Sequence, residues 1–255
     1  MELRLSTELA KSDKSPSQIA RVVTENWFGR NMYCPACRSN RLQKTSDNTK
    51  TVDFSCPACQ ADIQLKSKAG RLGKKVRDAA YHPMIQRIEK NSSPHFAFLE
   101  YDKDLWKVKN LLFIPGFFIT ANTIERCRPL SGTARRAGWV GCNILFSRLP
   151  EDAKIFVVQN QKPISAAFVR EKWARFAWLE PQKSEARGWA TDVLRCVRSL
   201  GKQRFFLAEM YSFQQELQNL YPSNKFVKAK IRQQLQVLRD KGLLRFIGKG
   251  VYEAI

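Results

Sequence analysis

Acidic side chains are scarce in this chain of 255 residues: 23 Asp and Glu stand against 44 Lys and Arg, a formal charge of +21. Solubility alone does not require such an imbalance, since carboxylates serve it at least as well. It points instead to a polyanionic partner, nucleic acid foremost. Histidine is nearly missing, with only His82 and His95, and both are expected to pack or lie at the surface rather than form a catalytic pair. Long apolar runs are missing too. The longest, Leu111 to Ala121, is broken by Pro115 and Gly116 and falls short of the ~18–20 residues a membrane span needs. No membrane partner is expected. The opening Met1-Glu2-Leu3-Arg4 holds no apolar run of the secretory kind, so the expected location is cytoplasmic.

What is present bounds the class further. An apolar content of 44 % with sixteen Phe can build a sizeable core, which excludes global disorder. The length suits one large domain or two smaller ones. The positive excess is shared, +13 on residues 1–180 and +8 on residues 181–255, so both halves can meet phosphate.

Seven cysteines in a chain expected in the cytoplasm are not a disulfide set. Cys34-Pro35-Ala36-Cys37 and Cys56-Pro57-Ala58-Cys59 form two C-x-x-C knuckles with eighteen residues between them. Each knuckle presents two thiolates to one face of a tetrahedral ion, and two complete a zinc site. Four sulfurs leave no open coordination position, so this zinc is expected to be structural. Cys127, Cys142 and Cys196 are expected in the core or at the surface.

Along the chain, residues 17–30 predict a helix with Ile19, Val22, Val23 and Trp27 on one face and Gly29 as its stop. Residues 77–90 predict another, with Pro83 marking a kink or late start. The runs 96–101, 111–115 and 155–159 lean to strand, and strands interleaved with helices suggest an α/β core. The basic segment Ser131–Trp139 is either a solvated loop or one that enters a DNA groove, with Arg135, Arg136 and Trp139 as the contacting residues. Residues 180–188 are polar and predict a linker.

Beyond it the sequence predicts helices at 189–199, 207–220 and from Asn224 to Lys241, then strands 243–247 and 251–255. That is the order of a winged helix, with an unrelated small α+β domain as the alternative. On the third helix Val227, Ile231, Leu235 and Leu238 share one stripe. Lys225, Ala229, Arg232, Gln233 and Gln236 fall opposite, with Lys228 at the margin. Gln suits adenine, Arg suits guanine, and Ala leaves room for a methyl group.

The stretch from Val52 to Lys66 has a geometry of its own. As a hairpin closed by the Cys56–Cys59 knuckle, its opposed residues sum to 117, which sets Asp53 across from Gln64. Lys66 projects from the same face, since strand side chains alternate. A Mg²⁺ held by Asp53, the Gln64 side-chain oxygen and the Leu65 carbonyl would suit phosphodiester hydrolysis, with Lys66 orienting or deprotonating water. The polar face of an exposed hairpin explains the same residues.

Asp53 followed by Gln64-Leu65-Lys66 resembles the PD-(D/E)xK nuclease core, whose second motif ordinarily begins with Glu or Asp. The whole chain is similar to the DpnI-like methyl-directed type II restriction endonucleases. The likeness rests on the knuckle pairs, Leu65-Lys66-Ser67-Lys68, Pro129-Leu130 with Thr133–Trp139, Arg187-Gly188-Trp189, and Lys230–Lys241. It implies a nuclease domain over residues 1–180, an α/β restriction-endonuclease-like core with a mixed sheet flanked by helices and a four-cysteine zinc knuckle. It implies a winged-helix DNA-binding domain over residues 181–255. The activity implied is Mg²⁺-dependent cleavage of double-stranded DNA at G-A-T-C carrying N6-methyladenine, by a monomer in the bacterial cytoplasm. A catalytically inactive methyl-adenine binding protein is the alternative. Asp53 and Lys66 match the family's site positions. Gln64 departs, because an amide oxygen holds Mg²⁺ more weakly than a carboxylate, and Asp62 and Glu25 become candidates to assist.

Overall fold

The structure is a computed structural model that describes residues 1–10, 15–46 and 52–255. Its first part runs α1 (Pro16–Asn31), β1 (Gln43–Lys44), β2 (Phe54–Ser55), β3 (Asp62–Ala69), β4 (Lys75–Ala80), α2 (Tyr81–Glu89), β5 (His95–Asp102), β6 (Lys107–Ile114), β7 (Ile124–Arg126), β8 (Gly141–Leu145), β9 (Ile155–Gln159), β10 (Lys162–Pro163) and α3 (Ala166–Ala174). The main sheet has the order β1-β2-β3-β5-β6-β9-β10. Among the described residues only β3 and β5 run parallel, so the sheet is mixed. β5 reads His-Phe-Ala-Phe-Leu-Glu-Tyr-Asp and is buried through Tyr101, as expected of a central strand covered on both faces. A side sheet, β4-β8-β7, stands apart.

The last part runs α4 (Ser184–Ser199), β11 (Arg204–Phe206), α5 (Leu207–Tyr211), α6 (Gln214–Leu220), α7 (Val227–Asp240), β12 (Leu244–Gly248) and β13 (Val251–Ala254). Its sheet order is β11-β13-β12. Helices followed by a two-stranded wing, with a short strand after the first helix, make this a winged helix. The expected stripe Val227, Ile231, Leu235 and Leu238 is buried.

Several expectations from the sequence need correction. Gly29 does not stop the first helix, which continues to Asn31. A Cβ there would lie 3.3 Å from the Phe54 ring, so the glycine admits β2 rather than ending α1. The predicted helix over residues 77–90 begins only at Tyr81. Residues 75–80 pair with β8 instead, and Pro83 then falls in the first helical turn, where its missing N–H leaves no gap. Residues 180–188 are not a linker throughout, because α4 starts at Ser184 and buries Arg187 and Gly188. The 207–220 helix divides at Ser212–Phe213 into α5 and α6. Strands β7, β8 and β11 and helix α3 come in addition to the predicted elements.

The hydrophobic core runs unbroken from Phe96 and Phe118 through Trp173 and Phe176 to Trp189, Val193 and Leu235. α4 is the seam between the two parts. Asp192, fully buried, accepts from Asn122 and from the Tyr221 hydroxyl, each at 2.8 Å. Trp189 stacks on Tyr221 with centroids 3.9 Å apart. A Cβ at position 188 would meet the Tyr221 hydroxyl at 2.7 Å, so glycine lets Tyr221 pack this closely on α4. Arg198 grips Asp152 with two bonds of 2.8 and 2.9 Å, and Arg187 donates to the Ile88 carbonyl at the end of α2.

Candidate active site and nucleic-acid-reading faces

The knuckles come together. The ligand atoms of Cys34, Cys37, Cys56 and Cys59 all lie within 4.8 Å of one another, and Cys34–Cys59 and Cys37–Cys56 are each 3.6 Å apart. Sulfurs bound about 2.3 Å from a tetrahedral zinc would sit about 3.8 Å apart, so the cage is compatible with zinc. Burial works against the Cys56 thiolate, but backbone N–H groups of Cys59 and Ala58 and the neighbouring thiols outweigh it and bring its pKa down to about 6. Arg170 of α3 fastens the cage by donating to the carbonyls of Cys34 and Ser39 while lying over Tyr33.

The second knuckle closes the β2–β3 ribbon. Cys56 N–H donates to the Ala61 carbonyl at 3.0 Å, and Gln60 takes a positive φ to make the turn. Phe54 pairs with Ile63 and Ser55 with Asp62, the register that sums to 117; the pairing stops short of the expected Asp53–Gln64 position, where the Asp53 N–H donates to the Ile63 carbonyl at 3.0 Å instead. The Asp53 side-chain Oδ2 accepts the Leu65 N–H at 2.8 Å. In a strand the N–H and C=O of one residue point to the same edge, so the Leu65 carbonyl also faces the Asp53 side.

Glu25 reaches this place from α1. It is buried and pairs with Arg21 at 2.7 Å and Lys44 at 2.9 Å, and these groups line one small cleft with Asp53. Burial raises the Asp53 carboxyl above its ordinary 3.8, and the Glu25 charge adds to the rise. The Leu65 N–H, Lys66 and Arg21 pull it down. Gln64 is buried, on the same face of β3 as Lys66. Asp62 is exposed at the start of the strand. Lys66 forms an ion pair of 2.5 Å with Asp78 of β4, whose side chain is wholly buried. Asp78 is absent from the residues expected of the site because 77–80 read as helix in the sequence.

His95 serves the core. Its Nδ1 accepts the Gly116 N–H at 2.9 Å, and burial pushes its pKa down to about 4.

Two surfaces carry the residues expected to meet nucleic acid. The loop between β7 and β8 is pinched at its base by two bonds between Leu130 and Gly138–Trp139. Arg135 and Arg136 are exposed on it. The Trp139 ring is flanked by two guanidinium groups, Arg136 at 4.7 Å and Arg77 at 5.7 Å from its centroid. Arg77 is an addition to the expected set, for the same reason as Asp78. On α7 and its approach, Lys225, Lys228, Ala229, Arg232, Gln233 and Gln236 are all exposed. Phe226 joins them at 77 % exposure, an apolar ring at the tip of the helix that a reading for polar base contacts passes over.

A mixed sheet with a four-cysteine cage, a ribbon bearing Asp53 and Lys66, and a winged helix together define a DNA-acting protein with a restriction-nuclease-like core. The comparison with known families agrees. The model of DpnI, the Dam-replacing family, matches residues 1–182, and that of the Dam-replacing HTH domain matches residues 185–254. The chain belongs to the Dam-replacing family.

Proposed function

We propose that this protein is a type II, metal-dependent endonuclease that cuts double-stranded DNA at G-A-T-C sites carrying N6-methyladenine, acting as a monomer in the bacterial cytoplasm. The division of labour proposed is a nuclease domain over residues 1–180 and a winged-helix domain over 181–255. The observation that supports the reading is the β2–β3 ribbon, where the Asp53 carboxylate accepts the Leu65 N–H between Gln64 and Lys66, two side chains that share one face of β3.

The donors suit Mg²⁺. Asp53, the Gln64 amide oxygen and the Leu65 carbonyl are hard oxygens. Bound there, the metal would supply charge stabilisation to the scissile phosphate. Asp53 holds its orientation through the Leu65 N–H. Lys66 would place its side-chain nitrogen beside the phosphate position, as an ammonium to orient the attacking water or as the neutral amine to accept its proton. Glu25, clamped by Arg21 and Lys44, sets the charge balance behind Asp53.

Selectivity for methylated DNA supports two reading heads. Burying one methyl is worth roughly 0.8 kcal/mol, about fourfold. Two methyls read once give only about fifteenfold, weak protection for unmethylated DNA. Two parts that each demand the methylated site multiply their selectivities. The Trp139 loop with Arg135 and Arg136 reads for the first part. Lys225, Phe226, Lys228, Ala229, Arg232, Gln233 and Gln236 read for the second, with Phe226 and Ala229 offering apolar contact to base methyl groups.

One observation favours a second reading, a methyl-adenine binding protein without nuclease activity: Gln64 stands where the family pattern has an acid. Incubation with Mg²⁺ and plasmid from methylating and non-methylating hosts separates the two. Cutting of the methylated plasmid alone supports the nuclease. A methyl-dependent gel shift without cutting supports the binding protein. Indifference to methylation overturns both.

A further inference from the structure

The cation site as read from the sequence holds one carboxylate where its chemistry calls for two, and the fold places a buried acid next to the gap. Asp78 approaches the Gln64–Lys66 face of β3 from the side sheet. Its side chain has no exposure, and its Oδ1 lies 2.5 Å from the Lys66 ammonium. Beyond that ammonium, neither oxygen has a hydrogen-bond partner among the described residues. Asp78 and Gln64 line the same small cavity, together with Pro83, Met84, Pro94 and Arg87. The Cys142 thiol is near enough to be raised by the Asp78 charge as well as by burial. A buried carboxylate with an unsatisfied oxygen is unfavourable unless positive charge or a donor reaches it. Lys66 supplies one positive charge to one oxygen and leaves the other bare.

We propose that Asp78 is the second acid of the divalent-cation site, supplying from β4 the negative oxygen that Gln64 does not. The inference rests on the metal-dependent reading above and extends it to a residue outside the Asp…Gln-x-Lys motif. Metal and Lys66 compete for the same carboxylate. A cation held by Asp78 would take over the charge that now pairs with Lys66 and leave that ammonium available to a phosphate.

Mn²⁺ binding to the full-length, zinc-loaded chain, measured by titration calorimetry without DNA, tests this. Asp78→Asn should weaken Mn²⁺ at least tenfold in the natural Gln64 background, and no more than two- to threefold once Gln64→Glu has restored an acid on β3. Equal losses in both backgrounds, or no loss, would make Asp78 only a structural counter-ion and overturn the proposal. Lys66→Met serves as a second variant that keeps the acid. It should tighten Mn²⁺ several-fold by removing the competing ammonium, and unchanged or weaker binding refutes the proposal. Asp53→Asn separates the two failures. If it leaves Mn²⁺ binding intact, the cation site itself is misplaced. If it abolishes binding while Asp78→Asn does not, only the role of Asp78 falls.

Discussion

The ribbon and helix α7 differ in how they hold their chemistry. At and around the ribbon each charged group has a partner: Asp53 the Leu65 N–H, Glu25 of α1 the side chains of Arg21 and Lys44, Lys66 the Asp78 carboxylate. On α7 the working face is open to solvent from Lys225 to Gln236, and the helix is held from behind by Val227, Ile231, Leu235 and Leu238. A site of the first kind ties function to stability, because altering one group strands another in low dielectric. A face of the second kind can change its readout with little effect on folding.

The largest effect that would sharpen this contrast comes from the knuckles. Cys56→Ser, or chelation of zinc, should abolish the cooperative melting transition of the first part, since structural zinc sites contribute on the order of 10 kcal/mol. A chain that melts normally after chelation would break the link between cage and ribbon. Next is Asp53→Asn, expected to eliminate cleavage while methyl-dependent gel shifts persist.

The same variant has a stability signature. The folded-state carboxyl of Asp53 is raised above its ordinary 3.8, so ionising it disfavours the folded state. That loss grows as pH rises from the unfolded value through the folded one. Asp53→Asn should therefore melt higher than the natural chain at pH 8, with the difference vanishing below about pH 4. A lower melting point at pH 8 would contradict it.

Smaller effects belong to α7. Arg232→Ala or Gln233→Ala should each weaken binding to the specific site by about 1–3 kcal/mol in a competition assay, leaving the melting temperature unchanged within about a degree. Smaller still, Lys228→Ala should lower the slope of log affinity against log salt by about one, with sequence preference intact. A substitution on α7 that unfolds the chain would erase the distinction between the two regions.

Much of this is legible in the sequence where short-range rules decide. The knuckle spacing gives the cage, the alternation from Val52 to Lys66 gives the ribbon register, and the apolar stripe gives the buried face of α7. The rest depends on distant partners. Residues 75–80 become a strand only because β8, more than sixty positions on, pairs with them, so Asp78 and Arg77 are hidden together. Gly29 and Gly188 look like punctuation locally and are contact points in space. Removing residues 181–255 would isolate no intact first part, because Trp189 and Val193 belong to the shared core. Point changes on α7 are the cleaner probe.

The Asp192 seam also limits how such a chain can acquire a new specificity. Its buried acid takes one donor from each side, Asn122 and Tyr221, so grafting a foreign reading head would leave half of the arrangement without its complement. Exchange by recombination is therefore penalised at the joint. Fresh preferences have to arise by gradual substitution on the open side of one helix.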